Sequence, residues 1–421
     1  MRPITNPAGE PLLAALDLWA ARIRDAVGET AAERFHRMML DTWCTTMSRN
    51  GDGMFVITGD IPAMWLRDSS AQVWPFLRLV DVPEVAGTLR GIVREQWRCI
   101  AVDAYANAFN AGPTGAHFDP EDLDLDPGVW ERKYEIDSLA FAVQLAHRLW
   151  RATGDAGHLD EQVHDGCRAI LELWRREQRH FELSDYRHVR DSEPWDTLGE
   201  DGRGTPVAVT GMTWSGFRPS DDACTYGYNI PAQLMAVMAL RLVAEFAGHW
   251  GDDQLGSDAR ALAGEISDGV ERFGMVDGRF AYEVDGLGGV LEMDDANMPS
   301  LLSLPLTSDI PAEDARYRRT REWVLSDENP FHHRGAHAEG IGSPHTPSGY
   351  VWHIALAVQG LTGSVEEGRR CLETILATDG GTGWTHESFD PDDPTRFTRP
   401  WFSWSNSMAC ELMMRLVDER D

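Results

Sequence analysis

PLLAALDLWAARIRDAV, Pro11–Val27, is the stretch on which the fold turns. Leu12, Leu16, Trp19, Ile23 and Val27 recur at spacings of three and four, so they share one face of an α-helix. AAERFHRMMLDTWCTTM (31–47) repeats the period. The same reading predicts helices over 69–79, 83–106, 130–152, 158–179, 224–246, 258–273, 311–325, 348–360, 364–376 and 402–417. Strand signals are few. MFVIT (54–58) reads as one short strand, and GRFAYEVDGLGGVLEMDD (278–295) reads as a hairpin punctuated by its glycines.

No Gly/Ser-rich or Pro-rich linker divides these segments, and no close repeat is visible. The expectation is a single all-α domain over 1–421. Six helical hairpins closed into an (α/α)6 barrel, with short β-hairpin insertions, fit the twelve helical segments. An open α-solenoid fits the count almost as well.

The bulk numbers narrow the function. Of 421 residues, 43% are hydrophobic and 25% charged, as in a globular protein. The formal net charge of −30 repels nucleic acid and anionic membranes, which excludes both as expected partners. Six cysteines lie far apart without metal-like spacing, so they read as buried small hydrophobes and no metal is expected. The start MRPITNPAGE lacks a basic segment followed by an apolar run, and no run of 18 apolar residues occurs. A cytoplasmic protein is the expectation. Tryptophan is frequent, at 16 against 8 tyrosines. Its flat apolar face and single donor suit a sugar ring, and equally suit the core of a helical domain.

Chemistry concentrates in loops that mix glycine, aromatic and charged residues. The first, SRNGDGMFVITGDIPAMWLRDSS (48–70), carries Asp60, Trp65, Arg67 and Asp68. There Arg67 can fork two adjacent oxygens while Asp68 accepts from two hydroxyls, or the two can form a structural ion pair. NAGPTGAHFDPEDLDLDPGVWERKYEIDS (110–138) is a second such loop. TGMTWSGFRPSDDACTYGYNIP (210–231) offers Asp221 and Asp222, one of which can cap the following helix while the other points into a cleft. GGTGWTHESFDPDDPTRFTRPWFSWSN (380–406) offers Glu387 between Trp384 and Phe389, where desolvation and the neighbouring His386 would tune it. Its DPDDP run reads most simply as a solvated loop, with a Ca²⁺ loop as the less favoured alternative. Two carboxyl groups from separate loops are the minimum for glycoside hydrolysis. HExxH, P-loop, GxSxG and full dinucleotide patterns are all missing.

Taken together, SRNGDGMFVITGDIPAMWLRDSSAQVWPFL, TGMTWSGFRPSDDACTYGYNIP and WTHESFDPDDPTRFTRPWFSWSNS resemble glycoside hydrolase family 125, over about Ser48 to Leu412. The resemblance implies an (α/α)6 barrel and an inverting exo-α-mannosidase that releases terminal mannose from α-1,6 linkages. It implies no metal, no cofactor and a mannose-containing oligosaccharide as partner. The general acid would be Asp221 or Asp222, and the general base Glu387. RGAHAEGIGSPHTPSGYVWH (334–353) would line the mannose subsite through His337, Glu339 and His345. Arg67, Asp68 and Asp60 would hold hydroxyls, with Trp65 against an apolar sugar face. An inverting pair stands roughly 6.5–9.5 Å apart, against about 5 Å for a retaining one. Competing readings are another (α/α)6 enzyme, such as a glucosidase, an unsaturated-uronide hydrolase or an epimerase, and a non-catalytic carbohydrate-binding protein.

Overall fold

The computed structural model describes residues 2–419 apart from 121, 123 and 124. Those three lie in the 110–138 loop. The chain packs into two compact units. The first is Met1–Glu95, Arg148–Ala156 and Pro330–Asp421; the second is Gln96–His147 and Gly157–Asn329.

In the first unit the opening stretch forms the helix Glu10–Ala26, and Leu12, Leu16, Trp19 and Ile23 are its buried stripe. Each such side chain contributes about 1.5–3 kcal/mol relative to exposure. Helix Glu29–Asp41 packs on it through Ala31, Phe35, Met38 and Met39. The centre of the unit is helix Ser403–Asp418, buried on nearly every side, against which Glu29–Asp41, His353–Thr362 and Val365–Ala377 pack. Ser364 caps the last of these by accepting from the Glu367 N–H.

The second unit is organised by helices Ile230–Trp250 and Asp253–Phe273, packed against each other. Gly251, in the left-handed region at φ 73°, ends the first, and the Asp252 carboxylate begins the second by accepting from the Leu255 N–H. Helix Glu161–Glu177 adds to this layer. Helix Ile230–Trp250 is long and apolar enough to cross a membrane by length and composition, and 83% of its most apolar window is buried inside the protein. It is thus a core helix.

Every predicted helical segment contains helix, but several limits move. The segment expected as 31–47 leaves the α-helix at Asp41 for a π-helical turn, Thr42–Thr46. The Thr45 and Thr46 hydroxyls donate to the carbonyls four residues back, which competes with regular helix. The segment expected as 69–79 is a short helix, Leu66–Ala71, followed by a 3-10 turn, Trp74–Leu79, because Pro75 removes a donor. The segment expected from 130 starts at Ile136, and the one expected from 224 starts at Ile230. The predicted single hairpin over 278–295 is instead divided. Arg279–Phe280 pairs with Met275–Val276, while Glu283–Val284 is the middle strand between Val290–Leu291 and Tyr228–Asn229. Strand Gly53–Val56 pairs with Met47–Asn50. All six cysteines are buried and free, as their spacing implied.

Candidate active site

Within the first unit, the segment around Gly59 is laced to the segment around Trp401. Gly59 lies at φ 147° and pairs with Phe402, and the Ser403 N–H donates to the Thr58 carbonyl at 2.7 Å. A Cβ on Gly59 would stand 2.3 Å from the Trp401 carbonyl oxygen, so the close approach requires glycine. The lacing brings Arg399 onto Asp60. The Asp60 carboxylate accepts from Arg399 Nε at 3.0 Å and Nη2 at 2.5 Å, and the Thr58 hydroxyl accepts from Nη2 at 3.0 Å. The structure thus engages Asp60 with protein.

Trp65 precedes helix Leu66–Ala71 and is buried with Arg67 and Asp68. Arg67 Nε stands 3.6 Å from Asp68 Oδ1, an ion pair without hydrogen-bond geometry. The Trp65 indole N–H donates to no protein acceptor among the described residues.

Glu387 is 8% exposed, and its nearest cation is Arg399, with Nη1 3.7 Å from Oε1. Among the described residues it makes no hydrogen bond. Other buried carboxylates here differ. Glu177 accepts from His180 and Tyr105, and Asp294 from the Leu301 and Leu302 N–H groups. The Glu387 oxygens keep contact with solvent, so water and not the protein completes their hydrogen bonding.

The expected tuning of Glu387 by His386 is not what the structure has. The His386 ring stacks on Phe397 at 3.6 Å, with its nitrogens against the Arg399 and Asp379 carbonyls. Burial pushes its pKa down. His353 beside it is pushed down to about 3, by burial first and then by His386. The charged group that faces Glu387 is Arg399, which sequence reasoning missed although it stands in the quoted TRPW. Burial would lower the Arg399 pKa, but Glu387 and Asp60 outweigh this and raise it.

His337, Glu339 and His345 all lie exposed on a hairpin formed by His332–Arg334 and Glu339–Ile341, or just beyond it. The Glu339 carboxylate accepts from Arg334 Nη2 at 2.7 Å, which holds its pKa down. The hairpin is tied to the segment after Glu387: the Ala336 N–H donates to Asp392 Oδ1 and the His337 N–H to the Pro391 carbonyl. In the DPDDP turn, Asp390 accepts from the Asp392 and Asp393 N–H groups, and Asp393 accepts from Thr395. No group of three His, Cys, Asp or Glu suited to a metal occurs among the described residues.

In the second unit, neither Asp221 nor Asp222 caps the following helix. Asn229 does so, its carbonyl oxygen accepting from the Ala232 N–H at 3.1 Å. The aspartates stand instead in a tight turn. The Asp221 N–H donates to the Arg218 carbonyl, and the Arg218 N–H to the Asp222 carbonyl. Asp221 adopts φ 67°, which an aspartate tolerates better than most residues, and Asp222 is 2% exposed. The turn is fixed by a buried ion pair. Glu283 accepts from Arg218 Nε at 2.5 Å and from the Thr225 and Tyr226 N–H groups. Ser220 donates to Asp295 at 2.7 Å. Burial pushes the adjacent Asp294 carboxyl up to about 8, against the pull of the Leu301 and Leu302 N–H groups. Asn107 Nδ2 donates to Glu131 at 3.0 Å and reaches Asp221 at 3.4 Å, which joins Asp221 to a buried network of Lys133, Glu131, Arg190, Asp122 and Asp196.

A helical scaffold presenting buried carboxyl groups in aromatic loops fits the needs of a glycoside hydrolase, and the comparisons with known proteins fix that class. A bacterial glucoamylase, solved with acarbose, has the same fold at 12% identity (TM-score 0.59; 94% of this chain and 57% of that one). Much nearer is a Streptococcus pneumoniae metal-independent alpha-mannosidase, solved in a non-productive complex with alpha-1,6-mannobiose. It is 42% identical with a TM-score of 0.95, over 98% of this chain and 99% of that one. The Meiotically up-regulated gene 157 protein of Schizosaccharomyces pombe is 35% identical over 423 residues, 93% of this chain and 83% of that protein. The family of metal-independent alpha-mannosidases, GH125, matches residues 29–414. This chain belongs to that family and is a glycoside hydrolase of the alpha-mannosidase kind.

Proposed function

We propose that the protein is an inverting exo-α-1,6-mannosidase on an (α/α)6-barrel scaffold, acting on mannose-containing oligosaccharides. Glu387 is the general base, deprotonating the attacking water, and Asp222 the general acid, protonating the leaving glycosidic oxygen. Arg67, Asp68 and Trp65 grip the terminal mannose. The observation that carries this reading is Glu387 itself, a carboxylate only 8% exposed that takes no hydrogen bond from the described residues and keeps its oxygens in reach of water. The α-1,6 linkage is supported by the disaccharide found with the Streptococcus pneumoniae relative. Buried free thiols suit a reducing compartment such as the cytoplasm.

Proton NMR of α-1,6-mannobiose hydrolysis, run in EDTA, tests all of this together. The first-formed mannose should be the β-anomer, and Glu387→Gln should release none. First-formed α-mannose would mean retention, and an inert mannobiose would sink the linkage.

A further inference from the structure

We propose that Arg399 is the positioning residue of the base, and that Asp60 serves as its anchor instead of as a sugar ligand. The inference rests on the reading of Glu387 as base and adds the group that faces and aims it.

The guanidinium nitrogens divide between two carboxylates. Nε and Nη2 are held by Asp60, Nη2 also by Thr58, and Nη1 is left to face Glu387 at 3.7 Å. The plane rests on the Phe402 ring at 4.4 Å. Its backbone stands at φ 46°, an uncommon conformation for a residue with a side chain. The lacing of Gly59 to Phe402 fixes Asp60 and Arg399 relative to each other. A cation locked in this way stands beside the carboxylate as a fixed counter-charge and sets where it points, which a general base needs.

The other charged groups of this unit near Glu387 are accounted for. Asp60 and Asp68 act on Arg399. Arg67 stands against Asp68, Arg396 against Asp390, and His386 and His353 are kept neutral with their nitrogens engaged elsewhere.

The experiment is the pH profile of kcat/KM on α-1,6-mannobiose for Arg399→Gln, Arg399→Lys, Asp60→Asn and Glu387→Gln, with circular dichroism melts as the folding control. Arg399→Gln should lower kcat/KM and move the acid limb up by about 1 pH unit, the scale expected for removing a cation this near. Arg399→Lys should keep the limb in place and recover part of the rate. Asp60→Asn should lower kcat and raise the limb slightly, with KM little changed. If Arg399→Gln does not fold, the Lys and Asn variants decide.

A rate loss in Arg399→Gln with an unmoved limb would overturn the inference. So would equal damage from Lys and Gln. A raised KM in Asp60→Asn with kcat and limb intact would return Asp60 to the sugar. An active Glu387→Gln would remove the base assignment and the inference together. An inactive one beside an unmoved Arg399→Gln limb would remove the inference alone.

Discussion

The turn that carries Asp221 and Asp222 and the loop that carries Glu387 are fixed by opposite chemistries. In the second unit the turn hangs on full charges, with Arg218 against Glu283 and four donors converging on one buried carboxylate. In the first unit the residues next to Glu387 hang mainly on neutral groups, with the Arg399–Asp60 pair as the charged tie further along the loop. Ser388 bonds Thr398, Ser405 bonds the His386 carbonyl, His353 takes the His386 N–H, and a single cation approaches Glu387. The difference teaches where each is fragile. A charged clamp fails when one partner is removed, because the other is left buried and uncompensated. A clamp of neutral histidines fails when acid protonates them.

The largest expected effect separates the two aspartates. Asp222→Asn should reduce turnover roughly 10²- to 10⁴-fold, the usual worth of a general acid, in steady-state assays on α-1,6-mannobiose. Asp221→Asn should mainly lower the melting temperature, since Asp221 sits against Asn107 and the Lys133 network. The reverse result would exchange their roles while leaving the turn's chemistry intact.

Next comes the clamp itself. Glu283→Gln should destabilise the protein by about 3–5 kcal/mol in denaturant titration, as breaking a buried pair does. Ser405→Ala on the other side removes one neutral bond and should lower stability by only about 0.5–1.5 kcal/mol. Equal losses would erase the contrast.

The last contrast is in pH. His353 has a folded pKa near 3, far below the ordinary histidine value. The unfolded chain therefore binds the proton first, so this share of stability is whole above about 6.5 and drains away as pH falls towards 3. Asp294 has the opposite sign. Its folded pKa is raised to about 8, so its share is present below the ordinary value of 3.8 and is lost as pH rises through 8. His353→Gln should flatten the acid side of the melting curve between pH 7 and 4 without touching the alkaline side. His188, lowered to about 4 by burial in the second unit, leaves a residual slope of the same sign. A variant as acid-sensitive as the parent would show that the neutral clamp does not depend on His353.

The helices were readable because their apolar period repeats over many residues, as at Leu12, Leu16, Trp19 and Ile23. The strands were not, because pairs such as Val351–Trp352 with Ser388–Phe389 are two residues long and have no period to read. The start of helix Ile230–Trp250 had a signal that went unused: Asn229 followed by Pro231 marks a cap and a first turn. With Asn229 in that role, the bland explanation for Asp221 and Asp222 disappears. Glu387 was visible as a carboxylate among aromatic residues. Its partner Arg399 was not, because their contact depends on how the 388–398 segment folds back, Ser388 against Thr398.

Six sheltered sulfhydryls carry a practical consequence. Burial also pushes the Cys44, Cys167, Cys224 and Cys410 thiols up, so the native chain gives an alkylating reagent little access, and at these four little thiolate. Iodoacetamide uptake then becomes a clock for opening. Cys44, Cys371 and Cys410 time the first unit, and Cys99, Cys167 and Cys224 the second, so mass spectrometry of the labelled peptides tells which half loosens first.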